Sequence, residues 1–428
     1  MQDGNNVYIV DGSRTPFLKA RGRPGPFAAA DLAVATGRPL LGRQPFAAQA
    51  LDEVILGCAA PSADEANIAR VVALRLGCGD SVPGWTVQRN CASGMQALDS
   101  AAQNIVTGRS ELVLAGGVEA MSHTPVLFNH QMVNWLADWT RSRGIGSKLS
   151  TLLKLRPSFL KPVIGLLRGL RDPVVGLSMG QTAENLAYRF RISREDMDRY
   201  SVRSHQRLAA AQDEGRLDEV EPTYDFSGNV YDRDDGLRRD SNMESLARLK
   251  PVFDRGVGNV TAGNSAQVTD GACWVILASE KATRKHGLPV LGRILDSQWA
   301  GLDPRQMGLG PVHASTQLLQ RHKLALGVID YWEINEAFAA QVLACLEALK
   351  DKHYCQEELG LGGAFGEIDQ DRLNLDGGGV SLGHPVGASG ARIVLHLLHV
   401  LRRHRWQRGI ATLCIGGGQG GAMLIEAA

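Results

Sequence analysis

The sequence predicts an α/β protein built from two similar halves, and three observations carry that prediction. Strand-like runs alternate with helical patterns through the first 120 or so residues. Short strings from that region recur in the same order near the C-terminus, which points to two copies of one unit. With 428 residues, the chain also exceeds what one simple core holds, so two or three domains are expected. A composition of 44% hydrophobic and 21% charged residues fits a soluble globular enzyme, and 49 glycines imply many tight turns or close backbone approaches.

The elements follow in order. Val7 to Val10 reads as a strand, and Asp11-Gly12-Ser13-Arg14-Thr15-Pro16 as the turn after it. Glu53 to Leu56 is a second strand, ended by Gly57. Next comes Asn90-Cys91-Ala92-Ser93-Gly94, followed at helical spacing by Met95, Leu98, Ala101, Ala102 and Ile105. This pattern places Cys91 in the first turn of a buried helix. Unpaired backbone N–H groups and the helix dipole are expected there to lower the thiol pKa and make the sulfur a nucleophile. Taken alone, a small buried cysteine is the commoner reading. A third strand, Leu112 to Leu114, runs into Ala115-Gly116-Gly117.

From about His123 to Leu249 the composition shifts to arginine, tryptophan and helical patterns. Met179 to Tyr188 and Ser193 to Ala211 read as helices, the second capped by Ser193 with Glu195 and Asp196 in its first turn. Within this region Trp139 to Arg171 carries eight Lys or Arg and no Asp or Glu. Leu160, Val163, Ile164 and Leu167 fall at helical spacing, with Pro162 in the first turn. A basic amphipathic helix there would cover the core, lie on an anionic membrane, or dock a partner or CoA phosphates. The chain returns through Pro251-Val252-Phe253 and Thr261-Ala262-Gly263-Asn264 into the apolar run Ala272 to Ala278.

The C-terminal part repeats the opening. Asp52-Glu53-Val54-Ile55-Leu56-Gly57 is echoed by Asp330-Tyr331-Trp332-Glu333-Ile334-Asn335, and Ala92-Ser93-Gly94 by Ala388-Ser389-Gly390. The strand into Ala115-Gly116-Gly117 is matched by Leu413 to Ile415 running into Gly416-Gly417-Gly418. A site is expected where the two copies meet.

Four strings add chemistry to Cys91. Gly383-His384-Pro385-Val386-Gly387-Ala388-Ser389-Gly390 is a glycine-rich turn before a helix, and its imidazole can act as general base and then donate to an oxyanion. Cys414-Ile415-Gly416-Gly417-Gly418-Gln419-Gly420-Gly421 offers a second thiol as acid or base, with Gly416 as an oxyanion donor; the alternative is a phosphate-binding loop or a plain β-turn. Asn335-Glu336-Ala337-Phe338-Ala339-Ala340-Gln341 enters an apolar helix, where Asn335 either holds a water or carbonyl or caps the helix. Met179-Gly180-Gln181-Thr182-Ala183-Glu184-Asn185 opens a helix of the middle region.

Together these strings resemble the thiolase family over nearly the whole chain. The Cys91 segment, Asn335-Glu336-Ala337-Phe338, Gly383-His384-Pro385 and Cys414-Ile415-Gly416 have the order and spacing of that family's four active-site loops. The resemblance implies a five-layer αβαβα fold of two similar halves plus a mostly helical loop domain. Residues 1–123 and 250–283 would form the N-terminal half, 124–249 the loop domain, and 284–428 the C-terminal half. It implies Cys91 as the acyl-accepting nucleophile, His384 as its activator and Cys414 as the second acid/base. One oxyanion hole would combine His384 with a water on Asn335, and the other the N–H groups of Cys91 and Gly416. Met179, Arg238, Ser245, Phe253 and Phe338 align with residues of the CoA channel, and Ser265 lies beside Ala266, where the family often has a serine; Ser178 stands where it often has a histidine.

The implied reaction is ping-pong thiolysis of medium or long 3-ketoacyl-CoA in fatty-acid β-oxidation, with CoA as a substrate and no tightly bound cofactor. A short-chain acetoacetyl-CoA thiolase is the nearer alternative. A ketoacyl synthase would use a histidine or asparagine in place of Cys414, and a non-catalytic acyl-CoA or lipid-binding relative would lack one of Cys91, His384 or Cys414. The basic middle region resembles the degradative branch that partners with an enoyl-CoA hydratase/3-hydroxyacyl-CoA dehydrogenase subunit, so a homodimer, a homotetramer or such a complex is expected, with peripheral membrane contact as a further possibility. His396 and His399 lie three apart without a third ligand nearby, so no metal site is assigned. A net charge of +1 carries no signal for nucleic acid. Seven scattered cysteines, an N-terminus without leader character and no long apolar run lead to an expected cytoplasmic location.

Overall fold

The computed structural model describes residues 6–428; residues 1–5, part of the segment read as lacking a leader, lie outside the described residues. One mixed sheet organises the chain. From edge to edge its strands are Gly84–Val87, Glu53–Gly57, Leu112–Ala120, Thr269–Ser279, Val7–Arg14, Gly292–Gly301, Gln419–Ala427, Arg408–Ile415 and Tyr331–Ile334. The two halves join where Val7, Tyr8 and Ile9 pair with Ile294, Arg293 and Gly292. Outward from that seam each half has the same grammar, two antiparallel pairings and then a parallel one. The echoed strings therefore occupy equivalent places: Glu53–Gly57 and Tyr331–Ile334 are both fourth from the seam, Leu112–Ala120 and Arg408–Ile415 both third.

Side-chain alternation turns this sheet into five layers. Along Thr269–Ser279, Cys273, Val275 and Leu277 face a central apolar cluster, while Ala272, Trp274, Ile276 and Ala278 face an outer one. The central cluster holds the helices Ser93–Val106 and Val386–His404 between the two half-sheets. Ala29–Gly42 and Ile68–Arg75 cover the outer face of the N-terminal half, and Gly310–Arg321 and Ala339–Lys350 that of the C-terminal half. Strands buried on both faces read as continuous apolar runs for this reason.

Glycine lets the two central helices touch backbone to backbone. A methyl group on Gly94 would lie 2.8 Å from Gly387 O and 2.9 Å from Ala391 N, and one on Gly390 would lie 2.6 Å from Met95 N. These are the glycines of the repeated Ala-Ser-Gly strings. Their close packing brings the segment before one helix, with Cys91, against the segment before the other, with His384.

The middle region contains Met179–Arg189, capped by Ser178, and Arg194–Asp213, whose cap Ser193 accepts from Asp196 N at 3.1 Å. Ahead of these, the helix expected around Leu160 to Leu167 does not form. Pro157–Leu160 is a 3₁₀ turn, Val163–Ile164 pairs as a short strand with Val126–Leu127, and only Gly165–Gly169 is helical. Pro162 removes a backbone donor and disfavours helical geometry at Lys161, which is extended, so the apolar spacing is overruled locally. Leu160, Ile164 and Leu167 are exposed and do not cover the core.

Candidate active site

Cys91 stands two residues before the helix Ser93–Val106 and not in its first turn; Ala92 is the cap. Asn90, immediately before it, has φ 45°, a left-handed conformation that asparagine tolerates better than most residues. Its side chain is tied down by Nδ2 donating to Gly416 O at 2.8 Å. The sulfur meets the backbone N–H groups of Gly416 and of Cys91 itself. Burial nevertheless outweighs both donors and raises the thiol pKa, with the Glu119 carboxyl adding to the rise. The expectation of a depressed pKa at the helix terminus is thus corrected. Cys91 rests as a thiol and needs a base.

His384 also stands two residues before a helix, Val386–His404. Its Nδ1 lies 2.6 Å from Ser389 Oγ, and Ser389 Oγ donates to Pro385 O at 3.1 Å. Because the one hydroxyl proton goes to the carbonyl, Nδ1–H donates to Ser389 and Nε2 keeps its lone pair. That Nε2 is buried without a partner among the described residues. Burial, assisted by the nearby Arg392 charge, lowers the imidazole pKa to about 4, so the ring is neutral at pH 7. Ser389 was visible in the sequence only as part of the repeated string.

Cys414 ends the strand Arg408–Ile415, and Gly416-Gly417-Gly418 form the three-residue turn into Gln419–Ala427. Gly417 and Gly418 have φ of 92° and 76°, which explains the glycine run as a hairpin turn and not a phosphate loop. The Cys414 thiol is pushed well above its ordinary range by burial and by the proximity of Cys91. Two neighbouring sulfurs in an apolar site do not ionise together, which leaves Cys414 a proton donor at neutral pH.

Asn335 is no helix cap: Ala339–Lys350 begins four residues later, with Phe338 at the cap. Its side chain is fully buried, and both Oδ1 and Nδ2 lack partners among the described residues. The next residue explains how this loop is held. Glu336 accepts from Tyr200 OH at 2.9 Å, Ser204 Oγ at 2.7 Å, Asn374 Nδ2 at 3.0 Å and Val380 N at 3.2 Å. Helix Arg194–Asp213, the Asn335 loop and the Gly379–Leu382 turn leading to His384 are thereby locked together. Glu119 does the same on the other side, accepting from Ala59 N, Ala60 N and Gly387 N at 2.9 to 3.0 Å. Sequence reading missed the roles of Glu119, Tyr200 and Asn374. An acid closing the strand after Gly116-Gly117 was the one available signal.

A cavity of about 530 Å³ opens over Cys91, walled by Met179, Val386, Gly416, Gln419 and Glu119, and on its far side by residues 165–174. Of the expected CoA contacts, Met179 lines it directly. Phe253 packs over Gly180, next to Met179, and meets Phe338 edge to face at 5.9 Å. Ser265 bridges to Phe338, its hydroxyl donating to Thr261 O at 2.7 Å. Arg238 and Ser245 are outside the cavity wall: Arg238 N donates to His205 Nδ1, and Ser245 serves the cap box of Met243–Ala247 with Asn242. His396 lies in an ion-pair cluster, its Nδ1 3.0 Å from Glu219 and its Nε2 3.3 Å from Asp376, and its pKa is raised to about 10. Both nitrogens are thus occupied, and no group of three metal-ligating side chains occurs among the described residues.

The chain matches the thiolase N-terminal domain over residues 7–281 and the thiolase C-terminal domain over residues 288–427. It is 41% identical to a β-ketoadipyl-CoA thiolase of Pseudomonas aeruginosa, with 98% of each chain covered. It is 36% identical to the mitochondrial trifunctional enzyme subunit beta of Bos taurus, covering 99% of this chain and 88% of that one. Among solved structures, human mitochondrial 3-ketoacyl-CoA thiolase in complex with CoA superposes with a TM-score of 0.84 at 36% identity, covering 99% of this chain and 98% of that one.

Proposed function

The chain belongs to the thiolase family, and from that premise we propose that it cleaves 3-ketoacyl-CoA with CoA through an acyl-enzyme on Cys91. The observation that carries this reading is the pair of buried orphan groups, His384 Nε2 and the Asn335 amide. Unpaired polar atoms are costly in an apolar interior, and thiolysis uses both.

The resting site pairs a neutral thiol with a neutral imidazole, so proton transfer and attack occur together. Nε2 takes the Cys91 proton as the sulfur adds to the 3-keto carbon, whose oxygen develops charge toward the Cys91 and Gly416 N–H groups. The bond between carbons 2 and 3 then breaks. Cys414 gives its proton to the departing acetyl-CoA carbanion, whose enolate oxygen is held by imidazolium Nε2–H and by a water on Asn335. Incoming CoA attacks the acyl-Cys91 thioester, and its thiol proton returns to Cys414 while Cys91 recovers its own from His384. Met179, Phe253, Phe338 and Ser265 flank the approach of CoA, with Arg238 and Ser245 further out toward the nucleotide.

The cavity supports acyl chains longer than acetyl, since its volume falls in the range of pockets for drug-sized ligands and Leu166, Leu170, Val174 and Met179 line it. A second reading, an acyl chain ending in a carboxylate as the name of the P. aeruginosa relative describes, is favoured by Arg168 and Arg171 on the same wall. Placement in β-oxidation and association with a hydratase/dehydrogenase subunit belong to this proposal, supported by the resemblance to the trifunctional enzyme subunit.

Thiolysis measured on 3-ketoacyl-CoA from four to sixteen carbons, with ω-carboxylated chains alongside, separates the readings. Cys91→Ala is expected to abolish both turnover and the mass shift of the acyl-enzyme; full acylation in that variant would overturn the proposal.

A further inference from the structure

We propose that Asn90 is a positioning residue of the oxyanion hole, its side chain fixing the backbone N–H of Cys91 and that of Gly416 relative to one another; the proposal rests on the acyl-enzyme reading above. The two donors come from opposite ends of the chain, and the Cys91 sulfur meets both. Gly416 opens the turn Gly416-Gly417-Gly418, in which Gly417 and Gly418 have φ of 92° and 76°, and a side chain at Gly417 would have nothing within 4 Å of it. Glycine backbone has more conformations open to it than any other, so a turn built from it keeps one shape only where something outside holds it. Two bonds do so here: Leu302 N donates to Gly418 O at 2.8 Å, and Asn90 Nδ2 donates to Gly416 O at 2.8 Å. The first pins the far end of the turn, and the second pins the residue that carries the oxyanion donor.

Asn90 acts on the other donor through its backbone. The Cys91 N–H belongs to the peptide bond that follows Asn90, so the dihedrals of Asn90 set its direction, and a φ of 45° holds them in the left-handed region. A tolerance for that conformation would by itself account for an asparagine here. It does not account for how the amide is turned. Gln88 Nε2 donates to Asn90 Oδ1 at 3.1 Å, which commits the oxygen and leaves Nδ2 to face the Gly416 carbonyl. A methyl group on Gly416 would stand 3.8 Å from Asn90 Nδ2 and 3.3 Å from Met179 Sδ, so Gly416 sits between the amide and the Met179 wall of the cavity. One side chain thus joins the peptide that carries the first donor to the residue that carries the second. An oxyanion hole works because its donors are aimed before charge develops, so a shift of either one lowers the rate of the chemical step more than it weakens substrate binding. The second hole, built from His384 and Asn335, is held through Ser389 and Glu336 instead.

The test compares wild type, Asn90→Gly and Asn90→Asp in three assays: single-turnover acylation of Cys91 by acetoacetyl-CoA, steady-state thiolysis, and exchange of the acetyl-CoA α-proton with deuterated solvent on enzyme already acetylated at Cys91. Asn90→Gly accepts the left-handed backbone and loses only the amide. Its acylation rate and kcat are expected to fall about tenfold to a hundredfold, less than deleting an oxyanion donor outright, with the KM for CoA and the thermal midpoint unchanged. Asn90→Asp sets a carboxylate against the Gly416 carbonyl and is expected to fall further. Exchange of the α-proton is expected to stay within about twofold in both variants, because it runs through Cys414 and the second hole. An Asn90→Gly enzyme that acylates within about twofold of wild type would overturn the proposal. So would an equal loss of acylation and exchange, which would mark a general disturbance of the fold. A wild-type chain that never acylates at Cys91 would overturn the underlying reading, and the proposal with it.

Discussion

Ser389→Ala removes a single hydroxyl from the base, and the consequence can be worked from the structure. Ser389 Oγ is the one partner of His384 Nδ1 among the described residues, at 2.6 Å, and its own proton is committed to Pro385 O. In the variant Nδ1–H is buried without an acceptor, a cost of about 1–3 kcal/mol. The ring relieves that cost by changing tautomer, and Nε2 then carries the hydrogen and cannot accept from Cys91. Restoring the working tautomer in the transition state costs the same amount, and at about 1.4 kcal/mol per decade kcat falls roughly fivefold to a hundredfold. The KM for CoA should change little, because Ser389 is buried and does not line the Cys91 cavity. Stopped-flow thiolysis measures the split, and alkylation of Cys91 by iodoacetamide reports the base directly, with a matching slowdown expected. Ser389→Thr keeps the hydroxyl and should recover most of the rate. A Ser389→Ala enzyme within twofold of wild type in both assays would refute the orienting role.

Other expectations follow from neighbouring features. Cys414→Ala should still accept an acyl group on Cys91, seen by mass spectrometry, yet fail to exchange the α-proton of acetyl-CoA with deuterated solvent. Gly390→Ala places a methyl 2.6 Å from Met95 N at the crossing of the central helices. Overpacking there should cost about 1–3 kcal/mol, read as a lower denaturant midpoint, with activity falling further because Cys91 and His384 sit on the segments leading into those two helices. His396 is held charged by Glu219 and Asp376, with a folded pKa of about 10 above an ordinary 6.5. Its contribution to stability is therefore complete below about pH 6.5 and is lost as pH rises through 10. His396→Gln should destabilise the protein by about 3–5 kcal/mol at pH 7 and flatten the alkaline fall in thermal stability.

Much of the site was legible in the chain because its residues sit in local strings with strong backbone demands. Gly383, Gly417 and Gly418 have positive φ, and Gly94 and Gly390 mark a close crossing, so the motifs stand out as glycine clusters. The helix expected near Leu160 failed for a local reason, a proline interrupting an apolar spacing. The raised pKa of Cys91 was not legible at all. A helix terminus is a local feature that the pattern reveals, whereas desolvation depends on everything packed around the sulfur.

By itself the sequence determined that the chain has two similar α/β halves, which segments carry nucleophile, base, acid and amide, and which family they resemble, because strand and helix periods and glycine turns are encoded over a few residues. Only the tertiary structure decided how those groups are tuned. It turned Ser389 into the partner that selects the tautomer of His384, gave Glu336 and Glu119 their roles as buried clamps, and left Leu149, Leu153 and Leu160 facing solvent. Each depends on residues far apart in the chain, or on what lies opposite a helix face, and burial and hydrogen-bond geometry between distant segments are properties of packing that local periodicity does not carry.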